Sequence, residues 1–149
     1  MVENNIFVGP FPPGLHAWYP QCGDVIARNV IVATRGTNIY ESSKADPHFA
    51  KTLDDNLFFN FAGQATVAGV KGLESFESWQ KAGFDAHSLF ADPQFVDAAK
   101  GDYRVRPTSP ALGLGFKNFP MDSFGVLPKD ALEGGKIEIH WNIQLPRKI

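Results

Sequence analysis

The sequence predicts an all-β fold: a parallel β-helix of about three coils, closed by a cap that contains a short helix and a terminal strand. Three observations predict it. An Asn-containing segment recurs in the first half, the pattern changes after Gly63, and the tail alternates apolar and polar residues. The recurring segment is the main one, because it indicates stacked coils.

The repeat consists of three segments that align without gaps, each with an Asn followed by three apolar residues. The Asn residues are Asn5, Asn29 and Asn56, at intervals of 24 and 27 residues. Periods of roughly 20 to 50 residues are typical of solenoids, and a coil of this length buries its apolar row only by stacking. The alternative is a β-sandwich, in which strands and turns also recur at regular spacing.

We expect the three Asn residues to lie at equivalent corners of successive coils. Asn adopts left-handed backbone angles at low cost, and stacked Asn side chains can hydrogen-bond along the stack. The apolar triplet after each Asn then forms a strand that pairs in parallel with its equivalents. The exposed first coil is expected to present an edge available for association.

Composition excludes several classes of protein. The chain has 149 residues, 44% of them hydrophobic, and a net charge of −2. These values argue against disorder and against a basic nucleic-acid interface. The single cysteine excludes an internal disulfide framework. No run approaches the roughly 20 apolar residues of a membrane span, and no signal peptide is visible, so we expect the sequence to begin inside a fold.

The second half is predicted to close the stack. We divide the chain into coils at 1–70, a closing coil and cap at 71–126, and a tail at 127–149. A short helix is expected between an N-cap at Ser75 and a C′ residue at Gly83, and a helical turn after Ser109. Residues 137–145 alternate as a strand with one buried face, which either folds back across the cap or pairs with a partner domain.

The closing block also resembles a known family. The matching runs are Trp79-Gln80-x-x-Gly83-x-Asp85-x-His87-Ser88, Ala91-Asp92-Pro93-x-Phe95-Val96-Asp97, Gly101-Asp102-Tyr103-Arg104-Val105, Ser109-Pro110-Ala111 and Leu114-Gly115-Phe116. Over residues 2–126 the chain is similar to the C-terminal end of bacterial right-handed parallel β-helix repeat proteins, many of them glycoside hydrolases; pectate-lyase-like enzymes share the architecture. The resemblance implies that the β-helix is right-handed, that the protein processes carbohydrate and that it is secreted or periplasmic. It also implies upstream coils that this sequence lacks.

The loop between the first two repeats is the richest candidate for substrate binding. It contains His16, Trp18 and Tyr19, with Asp24 nearby. Sugar-binding clefts combine flat aromatic faces with carboxylates, so we expect these residues to contact an oligosaccharide or polysaccharide. The alternative is that Trp18 and Tyr19 pack over the side of the solenoid.

The candidate catalytic pair is Asp24 and Asp55. Glycoside hydrolysis needs two carboxyl groups, about 5 to 5.5 Å apart for retention or roughly 6.5 to 9.5 Å for inversion, and one must have a raised pKa. The two residues lie near the starts of the second and third repeats, so they can fall on one face. Asp54 and Asp55 can equally serve as turn residues. A second loop offers Glu41, Asp46 and His48.

Asp85 and His87 are a further candidate acid–base pair, although structural hydrogen bonds are the favoured role there. The four His residues show no metal-ligand spacing, so the sequence predicts no cofactor and no metal site. Calcium held by scattered carboxylates stays an open alternative without further support.

Three functions follow from these observations. The first is a C-terminal portion of a carbohydrate-processing β-helix protein, a glycoside hydrolase acting on polysaccharide. The second is a non-catalytic solenoid module for glycan binding or assembly, whose open N-terminal edge or missing upstream coils mediate association. A polysaccharide lyase ranks lower, because Arg28 and Arg35 are the only basic residues near the first groove.

Overall fold

The computed structural model describes residues 1–10, 14–15, 23–42 and 50–121, with only the backbone at 14–15 and 41–42. The predicted terminal strand at 137–145 lies outside these residues. Residues 1–119 form one compact unit and residues 120–149 a second. All of the sheets, helices and sites below belong to the first unit.

Most of the regular structure consists of short strands. In chain order they are Val2–Glu3 (β1), Ile6–Gly9 (β2), Gly14–Leu15 (β3), Asp24–Ala27 (β4), Val30–Ala33 (β5), Asn38–Ser42 (β6), Ala50–Asp54 (β7), Leu57–Asn60 (β8), Thr66–Ala68 (β9), Leu89–Phe90 (β10), Phe95–Asp97 (β11) and Asp102–Val105 (β12). The helices are Phe76–Lys81 (α1) and Pro110–Gly113 (α2), with a 3₁₀ turn at Ala98–Lys100.

Three parallel sheets organise the first half. Sheet 1 has the order β1-β4-β7, sheet 2 the order β2-β5-β8-β10 and sheet 3 the order β3-β6-β9. The chain therefore visits the three sheets in the same order three times, and we call each visit a pass. The prediction of parallel pairing between equivalent apolar triplets is confirmed, because Ile6 pairs with Val30 and Val30 with Leu57.

The three Asn residues occupy equivalent positions directly before the strands of sheet 2. Asn29 Oδ1 accepts from the Asn5 backbone N–H at 3.0 Å, and Asn56 Oδ1 accepts from the Asn29 backbone N–H at 3.1 Å. The side-chain amides donate to the same acceptors at 3.1 and 3.0 Å, which confirms the expected ladder.

The left-handed backbone angles, however, belong to the residue before each Asn. Asn4, Arg28 and Asp55 have φ of 56°, 55° and 57°. The expectation that the ladder Asn residues adopt these angles was wrong. Their side chains bind neighbouring backbone and amide groups, and the preceding residue makes the turn. Among residues other than Gly, Asn and Asp tolerate this conformation best. Arg28, at the second corner, forms an ion pair with Glu3 of the first pass.

Sheet 2 is covered on both faces at its central strands, β5 and β8. Its inward face packs with the interior cluster that includes Ile31, Phe58, Tyr40 and Trp79. Its outward face packs with the segment 91–119, through Val105, Ala111 and Phe116 among others. All four residues of β5 are buried, which matches the continuous apolar runs of strands covered on both sides.

The predicted short helix is confirmed, and it closes one end of the interior. Ser75 caps α1 through a reciprocal capping box with Ser78, and Gly83 has a left-handed φ of 93°, as a C′ glycine does. Trp79 is fully buried and tilts against Tyr40, with ring centroids 6.1 Å apart. The predicted helical turn after Ser109 is also present as α2.

The segment after β10 runs along the outside of sheet 2. β11 and β12 form an antiparallel pair, and α2 follows. Near its end, Lys117 exchanges two hydrogen bonds with Asn4, from Asn4 Nδ2 to the carbonyl of Lys117 at 3.0 Å and from the Lys117 N–H to Asn4 Oδ1 at 2.7 Å. This segment therefore returns from the end of the third pass to the first.

Candidate functional site

The predicted substrate-binding residues His16, Trp18 and Tyr19 lie outside the described residues, as do Asp46 and His48; only the backbone of Glu41 is described. Their expected role therefore stays a prediction. The described residues contain two other arrangements of functional side chains: a polar corner between the third pass and β10, and a groove along sheet 2.

The structure does not bring Asp24 and Asp55 together. Asp24 begins β4, whereas Asp55 follows the last residue of β7, and β7 ends opposite Ala27. At about 3.3 Å per residue, this offset of four residues corresponds to roughly 13 Å along the sheet. The register therefore does not bring the two carboxylates to corresponding corners of neighbouring passes, which argues against a paired role; the pairing itself stays a prediction.

The polar corner is built around Asp54, at the end of β7. Asp54 Oδ1 accepts from the backbone N–H groups of Asp55 and His87 at 2.8 and 2.7 Å. Asp54 Oδ2 lies 2.7 Å from His87 Nδ1. Because two backbone N–H groups hold one oxygen of Asp54, the other oxygen is fixed in place to orient the imidazole of His87, whose side chain is largely exposed.

The Asp54–His87 pair shifts both pKa values. The hydrogen bond and charge of Asp54 raise the pKa of His87 above its usual value. Partial burial of Asp54 opposes ionisation, but the hydrogen bonds from His87 and Asp55 outweigh it and lower the pKa of Asp54. Both groups are therefore charged over a wider range of pH than either is alone, as in a surface ion pair.

The same corner contains the described residues that could hold a metal ion. One ligand atom each from Asp54, Asp55 and His87 lie within 4.8 Å of one another. Carboxylate oxygen and imidazole nitrogen together suit divalent transition metals better than calcium. The sequence spacing of the His residues gave no sign of this group, because the third pass and the segment before β10 bring it together.

Asp85 belongs to the core. It is fully buried, and its carboxylate accepts from Trp79 Nε1 at 2.9 Å, Ser88 Oγ at 2.6 Å and Asn56 Nδ2 at 3.1 Å. Burial raises its pKa, and these donors offset part of that effect. The favoured structural role is confirmed, since Asp85 closes the Asn ladder. The alternative Asp85–His87 pair was wrong, because His87 pairs with Asp54.

Tyr40 lies near this buried acid. Its hydroxyl is fully buried and, within the described residues, has no hydrogen-bonding partner at ordinary geometry. Burial is the main cause that raises the pKa of Tyr40, and the neighbouring charge of Asp85 adds to it. The tyrosine therefore stays neutral and serves the core through its ring, which packs edge-on against Phe58 with centroids 5.1 Å apart.

The groove lies between the outward face of sheet 2 and the β11–β12 pair, and its volume is about 780 Å³. Its floor follows the stack, because Val8, Val32 and Phe59 are register partners on the successive strands β2, β5 and β8. Two edge-on aromatic pairs flank it, Phe59 with Phe61 at 5.3 Å and Phe95 with Tyr103 at 5.2 Å between centroids. Phe61 is 76% exposed.

Polar side chains line the rim of the groove. Thr108 Oγ1 donates to Gln94 Oε1 at 2.6 Å, which fixes the amide of Gln94, and Asp92 Oδ1 accepts from the Gln94 N–H at 2.7 Å. Arg106 donates to the carbonyls of Phe95 and Val96. Thr34 lies on the opposite wall. The result is an apolar floor with fixed donors and acceptors, as small-molecule sites require.

Sequence reasoning missed this groove, because its two walls are more than 30 residues apart in the chain. One signal was available. The run Val30-Ile31-Val32-Ala33 lacks polar alternation, which indicates a strand covered on both faces and hence a second layer over sheet 2.

No helix among the described residues is long and apolar enough to span a membrane. No protein-family model, curated protein or solved structure matches this chain.

Proposed function

We propose that this chain is part of a carbohydrate-processing protein with a right-handed parallel β-helix, and that its described residues bind saccharide without hydrolysing it. The aromatic groove along sheet 2 is the observation that carries the proposal. The proposal includes a secreted or periplasmic location, because a protein that processes polysaccharide finds its substrate there. The three passes in constant order support the β-helix part.

The groove offers what a sugar ring needs. The C–H face of a pyranose packs on aromatic rings, and its hydroxyls need donors and acceptors at the ring edge. Phe61 and Tyr103 supply exposed or half-exposed rings, and Asp92, Gln94 and Thr34 supply polar atoms nearby. The volume falls within the roughly 300 to 1,000 Å³ typical of ligand sites, which suits an oligosaccharide segment.

The carboxylates favour binding over hydrolysis. Among the described residues that line the groove, Asp92 is the one carboxylate, whereas hydrolysis needs two. The acid with a raised pKa, Asp85, is buried and hydrogen-bonded in the core. A glycoside hydrolase built on this chain, the alternative function, would take its catalytic pair from outside the described residues.

The experiment is a glycan-binding screen with the full chain, followed by affinity measurements on the best oligosaccharide. Phe61→Ala is expected to weaken binding by about threefold to tenfold, the contribution of one aromatic contact. Phe7→Ala is the matched control, because Phe7 is also exposed but does not line the groove. Trp18→Ala tests the predicted contribution of the first loop.

The outcomes separate the hypotheses. Binding that Phe61→Ala weakens and Phe7→Ala leaves unchanged supports the proposal. Release of reducing sugar by the wild-type chain would replace it with the hydrolase alternative, and an unsaturated product would indicate the lyase. Failure to bind any plant, algal or bacterial polysaccharide would refute it.

A further inference from the structure

Gln94, on the rim of the groove, has an unusual backbone conformation for its residue type. Five described residues other than glycine have a positive φ. Asn4, Arg28 and Asp55 each precede an Asn of the ladder, and Asp85 accepts from the last of them. The fifth, Gln94, has a φ of 55° and lies outside the ladder. Positive φ is uncommon in residues other than glycine, and it persists where surrounding contacts hold it, often at binding sites.

Three contacts hold Gln94 in this conformation. Its backbone N–H donates to Asp92 Oδ1 at 2.7 Å, and its carbonyl accepts from the Arg106 N–H at 3.0 Å. Its side-chain Oε1 accepts from Thr108 Oγ1 at 2.6 Å. All four residues line the groove. Both the backbone and the amide group of Gln94 are therefore fixed by the protein itself.

The turn that carries Gln94 is anchored in the core. Pro93, at the centre of the turn, is buried, and its carbonyl accepts from the buried Ser109 Oγ at 2.7 Å. The proline ring also restricts the backbone there. The side chains of Asp92 and Gln94 thus project from a rigid turn, and a site that is already ordered loses less entropy when a ligand binds.

These two side chains leave one donor group and one acceptor for a ligand. Because Oε1 of Gln94 accepts from Thr108, its free polar atom is Nε2, which carries two N–H groups. Because Oδ1 of Asp92 accepts from Gln94, its free polar atom is Oδ2, which can only accept. Within the described part of the chain, neither Nε2 nor Oδ2 has a hydrogen-bonding partner. The groove therefore presents a donor and an acceptor side by side.

We propose that Gln94 and Asp92 determine which sugars the groove accepts, by binding two adjacent free hydroxyls of one sugar unit; this inference rests on the proposed function. Nε2 of Gln94 donates to the oxygen of one hydroxyl, and Oδ2 of Asp92 accepts from the neighbouring hydroxyl. A hydroxyl can both donate and accept, whereas a position without a hydroxyl can do neither. The aromatic rings of the groove supply affinity, and the amide and carboxylate supply specificity.

The test starts from the oligosaccharide that the full chain binds best, and adds a set of its analogues that each lack one hydroxyl. For the wild type, removal of either of two adjacent hydroxyls is expected to weaken binding by about threefold to tenfold, the contribution of one hydrogen bond. Removal of any other hydroxyl should change the affinity less. Isothermal titration calorimetry measures each dissociation constant.

Three variants connect these losses to the two residues. Gln94→Met cannot donate, so it should bind the parent sugar about threefold to tenfold more weakly and should no longer distinguish it from one of the two analogues. Gln94→Glu should do the same while it keeps the oxygen that Thr108 binds. Asp92→Asn keeps an acceptor for the Gln94 N–H but replaces Oδ2 by a donor, so it should abolish the discrimination at the adjacent hydroxyl. Gln64→Met is the matched control, because Gln64 is exposed and does not line the groove.

The results distinguish this inference from the proposed function. If Phe61→Ala weakens binding but both Gln94 variants bind parent and analogues as the wild type does, the groove binds saccharide and the role of Gln94 is refuted. An equal loss for the parent and every analogue would also refute it, since a merely structural role lowers all affinities together. Sensitive hydroxyls that are not adjacent would contradict the paired arrangement. Absence of any saccharide binding by the wild type would remove the proposed function and this inference with it.

Discussion

Replacement of Asn56 by Ala tests the ladder most directly. Asn56 is fully buried and takes part in four side-chain hydrogen bonds, two accepted from Asn29 and two donated, to the carbonyl of Ile26 and to Asp85. At about 1 kcal/mol for each bond, Asn56→Ala is expected to lower the free energy of unfolding by about 4 kcal/mol. That is a large part of the roughly 5 to 15 kcal/mol of a small domain.

The other two rungs provide an internal comparison. Asn5 is half-buried and its side chain makes two hydrogen bonds, so Asn5→Ala is expected to cost roughly 1 to 2 kcal/mol. Asn29→Ala should fall between the two, at about 3 kcal/mol, because some of its bonds are only partly buried. The residue type is identical at the three positions, so the order of losses follows the number of side-chain hydrogen bonds and their burial.

Urea unfolding of the full-length variants, followed by tryptophan fluorescence, measures these differences. Trp79 lies in the core beside Asp85, so its emission reports on this region. Equal losses of unfolding free energy for Asn5→Ala and Asn56→Ala would refute the reasoning. They would mean that the loss does not depend on how many side-chain hydrogen bonds the Asn makes or on how deeply they are buried. Asn56→Asp extends the test, since a second acid beside buried Asp85 should destabilise more than Ala does at neutral pH.

Three further predictions follow. Burial raises the pKa of Asp85 above its value in the unfolded chain, so the stability that this residue contributes is present at low pH and is lost as pH rises through the folded pKa. Between pH 4 and pH 7, the unfolding free energy of the wild type should therefore fall relative to that of Asp85→Asn. Parallel pH profiles of the two proteins in urea unfolding would contradict this. Asp54 raises the pKa of His87 above 6.5, so an NMR titration of Asp54→Asn should show the His87 pKa returning toward that value. The pair stabilises the fold above the unfolded pKa of Asp54, and this stabilisation is lost as pH rises through the folded pKa of His87. An unchanged His87 titration would disprove the pairing. Ser109 caps α2 and donates from a buried position to the carbonyl of Pro93 at 2.7 Å, so Ser109→Ala should lower thermal stability by about 1 to 2 kcal/mol, whereas the exposed control Thr34→Ala should not.

The parallel pairing was predictable from sequence because Asn5, Asn29 and Asn56 recur with their apolar triplets. The fourth member of the ladder was not, for two physical reasons. Helix α1 is inserted before it, so the interval from Asn56 lengthens to 32 residues, and its corner residue is Ser88, whose hydroxyl accepts as the amide oxygen does. A search for Asn alone passes over it.

The site was less predictable than the fold. A register shift between Asp24 and Val25 breaks the regular pairing of β4 with β7, and the distance between two carboxylates depends on such shifts, which no local pattern reveals. Asp is a common turn residue, so the sequence alone suggests that Asp85 lies in an exposed turn. Only the tertiary packing of Trp79 and Asn56 around Asp85 shows that it is buried. The groove depends likewise on how the β11–β12 pair lies on sheet 2.

The return of the chain to Asn4 has a consequence for unfolding. Stacked repeats contact only their neighbours, so they tend to fray inward from a free end. Here the two hydrogen bonds between Lys117 and Asn4 join residues 113 positions apart, and the segment before Lys117 packs on β2, β5 and β8 of sheet 2. Detachment of the first pass therefore requires that the segment ending at Lys117 also be released. The stack then opens in a more concerted way instead of fraying step by step. The same long-range contact slows folding, because the entropy cost of closing this long loop comes before the favourable contacts of the segment with sheet 2.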